Sequence, residues 1–365
     1  MKVALVYDRV NKWGGAERML LSLHKIFKDA PLYTSVYEPP SASWAKPLDV
    51  RTSFLQKIGI VKKSNELFPF LMPIAFESFN FDAFDFVISV TSEAAKGIIT
   101  KPGTSHICIC LTPTRYLWSG YETYFENPLM RFFAKPLVSY LRRWDIVASK
   151  RPDFYIAISQ EVKKRIKKYY GLDSKIIYPP INIKDSGIKK SVSDYFLVVS
   201  RLSKFVAYKK VGVIIEAFNK LGYPLKIVGE GSAKKYLKQT ASANIDFLGN
   251  VSDEELEGLY KNSRALIFPG VEDFGLVMAE AQFFGTPVIA YRGGGALEIV
   301  KEGETGEFFD EQKADSIISV LKNFDEKRYN SEKVKKNSDK FSFAKFEKEL
   351  LDFVKESIRQ SKETL

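Results

Sequence analysis

The 365-residue sequence predicts an α/β protein of two parallel-sheet domains, and three observations carry the prediction. Residues 265–290 read as a buried strand (265–268), a loop, a helix from about 275 to 284 and a second buried strand (287–290). That spacing is a βαβ unit, which requires a parallel sheet. Short apolar runs that end in glycine or a polar turn recur in both halves, at 3–7, 86–90, 195–200, 225–228 and 245–248. The length also exceeds what one hydrophobic core ordinarily supports.

The βαβ unit is the stretch around which the chain is organised. Glu272 stands just before the helix and Glu280 inside it, with seven residues between them. Gly275 lets the backbone at the helix start approach a ligand, and a first helical turn offers N–H groups to an anion. A sugar diphosphate fits this layout. Its phosphates would take the amides of Gly275, Leu276 and Val277, its ribose diol Glu280, and its sugar Glu272. Spacing alone leaves open a plain helix with two scattered acids.

Composition narrows the class. Hydrophobic residues form 45% of the chain, ordinary for a globular protein, and no apolar run reaches the ~18 residues of a membrane span. Met1-Lys2 leads directly into Val3–Tyr7, a strand pattern and not a signal peptide. Cys108 and Cys110 are too few and too close for a disulfide framework or a structural zinc site. They read as core thiols in a reducing compartment, so a cytoplasmic protein is expected. Residues 1–180 carry 26 Lys+Arg against 16 Asp+Glu, whereas 181–365 carry 29 against 28. A basic first half suits an anionic partner such as nucleic acid, a membrane surface or a phosphorylated acceptor, or it is only a solvated face.

In chain order, strand 3–7 runs into Gly14-Gly15 and an amphipathic helix to about Phe27, a place for close backbone approach. Residues 54–81 mix bulky apolar groups with lysines; packing around a proline-broken loop is favoured over a membrane-interface element. Strand 86–90 turns at 91–97. Ser105 to Trp118 follows, with His106, Cys108 and Cys110 on one strand face. Residues 129–170 are helical and basic, interrupted by a strand at 154–159 that ends at a good N-cap. Residues 178–180 and the polar run 185–193 read as the linker. Beyond it, Arg201 at a strand end and Lys209 or Lys210 at the next helix start can converge on an anion. Gly229 and Gly249 close two further strands, and Gly293–Gly295 form another glycine loop on the phosphate side. Residues 311–338 are helical. The last helix, from 343 to about 358, has an apolar stripe of Phe346, Leu350 and Val354 among others.

Glu272, Phe274, Gly275, Glu280 and Ala281 resemble the E-x(7)-E signature of retaining GT-B glycosyltransferases of family four. Gly14, Gly15, Ala16 and Glu17 match that family's G-G-x-E loop, and Arg201, Lys209 and Ala217 its basic motif. Cys110, Thr112, Pro113, Arg115, Tyr116 and Trp118 follow the mannosyltransferase-like branch. The resemblance covers nearly the whole chain. It implies two Rossmann-like domains facing each other across a cleft, with acceptor on 1–182, nucleotide-sugar on 190–342, and the final helix (about 343–365) crossing back.

Arg201 and Lys209 would clamp the diphosphate, with Lys210 the competing lysine, and Glu272 would hold the sugar. Gly229 and Gly249 would lie on the donor side, and Gly14, Gly15, Arg115 and Tyr116 on the acceptor side or at the cleft. Leu111 stands where relatives carry a histidine that contacts the transferred sugar. The implied reaction is retaining transfer of a hexose, mannose or glucose type, from a GDP- or UDP-linked donor to a saccharide or lipid-linked saccharide. No cofactor is implied beyond the donor, and no metal, since the sequence lacks an Asp-x-Asp pair. The charge excess of the first half lies beside 54–81 and the helices at 131–168, so peripheral docking on an anionic membrane surface is expected, with Lys163, Lys164, Lys167 and Lys168 as contacts. The rival within enzymes is a nucleotide-sugar epimerase on the same fold. A nucleic-acid-binding protein finds no motif beyond charge.

Overall fold

Parallel strands covered by helices on both faces must be apolar throughout, and the strand at Val3–Tyr7 is buried at all five positions. The computed structural model describes residues 1–60, 68–188, 193–203 and 209–363. Parts of three sequence-stretch readings, at 61–67, 189–192 and 204–208, lie outside them. The chain divides into two units: Met1–Pro180 together with the chain from Phe346 onward, and Ile181–Lys345.

The first unit holds a seven-stranded sheet of β1 (Val3–Tyr7), β2 (Leu32–Thr34), β3 (Val50–Thr52), β4 (Phe86–Thr91), β5 (Ser105–Cys110), β6 (Phe154–Ala157) and β7 (Lys175–Ile176). Their order is 3-2-1-4-5-6-7 and every pairing is parallel. The helices between them are α1 (Gly15–Ile26), α2 (Met72–Glu77), α3 (Tyr121–Tyr124), α4 (Pro128–Ala148) and α5 (Gln160–Tyr170). α5 begins where the sequence places it, with the Ser159 hydroxyl accepting from the Val162 N–H at 3.0 Å.

The second unit holds six parallel strands, β8 (Phe196–Val199), β9 (Leu225–Val228), β10 (Ile245–Gly249), β11 (Leu266–Phe268), β12 (Val288–Tyr291) and β13 (Gly306–Phe309), in the order 10-9-8-11-12-13. With them run α6 (Val211–Leu221), α7 (Lys234–Thr240), α8 (Asp253–Asn262), α9 (Leu276–Phe283), α10 (Ala296–Ile299), α11 (Ala314–Asn323) and α12 (Ser331–Ser338). The predicted helical stretch 311–338 is thus two helices, parted by the short turn Glu326–Arg328. A final helix, α13 (Phe343–Glu363), buries Phe346, Leu350 and Val354 and sets Phe353 against Phe154 of β6 with ring centroids 6.1 Å apart.

Both units are Rossmann-like, the fold class the sequence predicts. In each, the chain steps outward over three strands and then returns to the first one's other side. The strand order reverses between β1 and β4 in one sheet and between β8 and β11 in the other. Ligands in open α/β sheets bind beyond the strand ends at such a reversal.

The segment 181–188 is anchored rather than loose. The Ser186 N–H donates to Glu257 at 3.0 Å, and the Lys261 ammonium reaches Asp185 and Glu257 at 2.6 Å each. The second unit therefore starts ahead of residue 190, because the polar run at 185–188 finds charged partners on α8.

Candidate functional site

At the reversal in the second sheet, the residues after β8 and β11 are Arg201 and the 269–275 loop. Arg201 is exposed and begins the lining of a cavity of about 430 Å³, closed further by Leu202, Ser203, Lys209, Lys210, Gly212 and Tyr236. That volume lies in the range of small-molecule sites. Lys209 joins this cavity to the other strand end, because its ammonium forms an ion pair with Glu272. Both side chains are less than a fifth exposed, at 16% and 18%. Lys210 lines the same cavity. It is exposed, caps the start of α6 and sits in the left-handed region at φ 50°.

The loop carrying Glu272 is fixed by its surroundings. The Phe274 side chain is buried edge-to-face on Phe341, 5.1 Å between centroids. The Gly295 N–H donates to the Glu272 carbonyl at 2.9 Å, and a Cβ at Gly295 would lie 2.1 Å from the Phe274 carbonyl oxygen. The glycine loop 293–295 therefore packs directly under the Glu272–Phe274 backbone and holds it. Gly275, at φ 94°, then caps α9, whose first turn brings Leu276 and Val277 to the same strand end.

Glu280 lies inside α9, nearly buried, and its Oε2 accepts a hydrogen bond from the Tyr260 hydroxyl at 3.0 Å. Tyr260 is itself fully buried and stacks on Phe284. Sequence reasoning missed this tyrosine, which lies on α8, five residues before the organising stretch; its only signal is an aromatic on the apolar face of a helix. Gly229 and Gly249 do a structural job. A Cβ at Gly229 would come 1.9 Å from the Ser200 carbonyl oxygen, and the Gly229 N–H donates to Gly249 at 2.7 Å. These turns support the backbone that presents Arg201.

The first unit has its own polar centre at the β1–β4 reversal. The Asp8 carboxylate accepts hydrogen bonds from the amides of Ser92 (2.7 Å), Ala94 (2.9 Å) and Ala95 (2.9 Å), and from the Thr91 hydroxyl (2.8 Å). Arg9 pairs with Glu93. Gly14 precedes α1 and Gly15 begins it; behind them the Tyr7 hydroxyl donates to buried Glu17 at 2.6 Å. Burial, and then the Glu17 charge, holds the Tyr7 phenol well above its ordinary range.

The turn after β5 carries Arg115 and Tyr116, with the Gly120 N–H donating to the Arg115 carbonyl at 2.8 Å. This turn is pinned by fully buried Asp145, which accepts from Lys96 (2.6 Å), Thr114 (3.0 Å), Trp118 (2.7 Å) and Tyr170 (2.8 Å). Burial disfavours the Lys96 ammonium, but Asp145 outweighs it and holds that group above the usual lysine range. Burial, followed by Glu93, likewise raises the Tyr116 phenol. Leu111 lies at the end of β5, its N–H bonded to the Thr91 carbonyl at 2.8 Å. His106 and both cysteines are buried within β5. Burial takes His106 down to about 3 and Cys108 up to about 12, so neither is charged at neutral pH. Among the described residues, no three His, Cys, Asp or Glu side chains group as a metal would require.

A parallel sheet with two cations, a carboxylate and a helix N-terminus at its reversal defines a class of nucleotide-handling α/β proteins. Residues 181–341 match the family model described as glycosyl transferases group 1. The chain is 28% identical over 193 residues to the D-rhamnosyltransferase WbpZ of Pseudomonas aeruginosa, an overlap of 50% of each chain. It is 30% identical over 155 residues to the O-antigen chain mannosyltransferase RfbU of Salmonella typhimurium, covering 38% of this chain and 42% of that protein. The chain thus spans about half the length of the curated relatives it matches. The crystal structure of Anabaena Alr3699/HepE in complex with UDP-glucose has the same fold. Its TM-score is 0.72 at 17% identity, over 98% of this chain and 100% of that one.

Proposed function

We propose that the chain is a retaining, metal-independent glycosyltransferase that moves a hexose from a nucleotide-diphosphate sugar to a saccharide or lipid-linked saccharide. The observation that carries this reading is the meeting of Lys209 with Glu272 beside Arg201, at the strand reversal of the second sheet. Arg201 and Lys209 neutralise charge that builds on the departing diphosphate, where fixed cations act strongly. The first-turn amides of α9 take phosphate oxygens. Glu272 engages sugar hydroxyls and opposes the positive charge that develops at the ring. The acceptor proton passes to the leaving phosphate, since the chain offers no uncommitted histidine base: His106 is buried and neutral and His24 lies in α1.

The names of the relatives support a mannose- or rhamnose-type sugar, and the solved neighbour supports UDP as one donor base. Surface polysaccharide synthesis suits both, and a lipid-linked acceptor suits a basic first unit. One screen tests the proposal: UDP-, GDP- and ADP-sugars with excess chelator, scored for nucleoside diphosphate release and for the anomeric configuration of the product by NMR. Release with retention is the expected result. Inversion, or activity that appears only when Mn²⁺ or Mg²⁺ is restored, would overturn the mechanism. An epimerised free sugar would point to the epimerase reading.

A further inference from the structure

The outer face of α4 is unlike that of any ordinary surface helix. A helix covering a sheet puts apolar residues inward and polar ones outward. α4 does the first: Val138, Leu141 and Ala148 are buried, with Leu117 and partly buried Tyr121, Phe125 and Leu137 packed beside them. It does not do the second. Leu129, Met130, Phe132, Phe133, Tyr140 and Val147 are between 50% and 72% exposed. Positions 129, 133, 136, 140, 143 and 147 recur at steps of four and three, so they form one stripe along the solvent side. Single exposed apolar residues are common, but four within five positions mark a contact surface.

The charges on the same helix are of one sign. Arg131, Lys135, Arg142 and Arg143 are cationic, and the one acid, Asp145, is fully buried against Lys96. Arg131 and Arg142 are held inward over Tyr121, while Lys135 and Arg143 are exposed. Glu122 and Glu126 are exposed too, but they precede the helix. α5 makes the contrast plain: Lys163, Lys164, Lys167 and Lys168 are exposed there, yet its apolar residues Val162 and Ile166 are buried, so it presents charge without any apolar surface.

We propose that α4 is an interfacial helix that lays its outer face on an anionic lipid bilayer, with Leu129, Met130, Phe132 and Phe133 entering the headgroup–acyl boundary. An apolar stripe whose exposed charges on the helix itself, Lys135 and Arg143, are both cationic matches such a surface in polarity and charge. A second copy of the chain fits less well, since a two-fold pairing would set Lys135 and Arg143 against their own like charges. The inference is independent of the sugar-transfer reading.

The full chain, with no donor or acceptor, is sedimented with vesicles of phosphatidylcholine containing phosphatidylglycerol, and with pure phosphatidylcholine. Binding is expected to the anionic vesicles and to weaken with salt. Phe132→Ser with Phe133→Ser should lower partitioning on the order of tenfold per phenylalanine, while the unfolding midpoint stays at the wild-type value because both rings are exposed. Lys135→Glu with Arg143→Glu should remove the salt-sensitive part. Phe70→Ser with Ile74→Ser, exposed elsewhere on the same unit, should leave binding within about twofold. Equal binding to both vesicle types, no binding, or an unchanged Phe132/Phe133 variant would overturn the proposal. So would a lipid-free dimer that this variant dissolves, which would assign the face to a second copy.

Discussion

Replacing Glu272 by glutamine should move binding and turnover in opposite directions. The Lys209 ammonium rests on the Glu272 carboxylate. A nucleoside diphosphate that takes Lys209 must first displace that pairing. A partly exposed ion pair of this kind is worth roughly 1 kcal/mol, so removing the competitor should tighten UDP or GDP binding about fivefold. Turnover loses the carboxylate that opposes charge at the sugar ring, a loss of ~10²-fold or more. Calorimetric titration with UDP and GDP gives the first quantity, and initial rates with the donor chosen by the screen give the second. Lys209→Ala is the counterpart and should weaken binding and turnover together. An unchanged rate in Glu272→Gln would remove Glu272 from the sugar side. Weaker diphosphate binding in the same variant would mean that the ion pair does not compete with the donor.

Three further outcomes follow from the geometry. Lys210→Gly should leave turnover near wild type and raise stability by ~0.5–1 kcal/mol in urea unfolding, because it relieves a left-handed lysine; a large loss of rate would make Lys210 the clamp instead of Lys209. Tyr260→Phe should cost about 1–3 kcal/mol of stability by taking a donor from nearly buried Glu280, and should raise the donor KM several-fold with less effect on kcat; an unchanged KM would detach Glu280 from donor binding. His106 titrates near 3 in the fold against about 6.5 unfolded, so only the unfolded chain takes the proton between those values. Its contribution to stability should therefore be lost by ~1.4 kcal/mol per pH unit as pH falls below 6.5, with no effect above, and a His106→Gln variant should show a shallower slope over pH 4–6.5 in urea titrations.

The fold was legible because buried parallel strands announce themselves as short apolar runs, and the termini of β1 and β9 fall where the sequence reading places them. Glu272, Gly275 and Arg201 were legible because each sits at a strand or helix end whose type and spacing are local. What escaped was long-range. Nothing near Glu280 in the chain points to Tyr260, and nothing near Arg115 points to Asp145, thirty residues on, as the group that pins its turn. The glycine loop 293–295 was read as facing phosphate, whereas its close approach is to the Glu272–Phe274 backbone, which periodicity cannot reveal. Leu55, Met72 and Phe76 are core, while Phe54, Phe70 and Ile74 are exposed.

The two sheets share one strand order, yet their reversal points are not equivalent, and the difference bears on the proposed donor site. In the first unit, the amides at 92, 94 and 95 beyond β4 converge as an anion site would require, but the carboxylate of Asp8 already fills that cradle. A diphosphate there would have to displace a bound charge and would meet Glu93 beside it. The corresponding end of the second sheet is built from other groups. It presents Gly275, the first turn of α9, exposed Arg201 and Lys209 paired with Glu272. The same topology therefore yields one end closed by its own side chain and, on the proposed function, one end that takes the diphosphate. The excess of positive charge lies in the unit whose phosphate cradle is closed, so that charge is better explained by a broad anionic surface than by the donor.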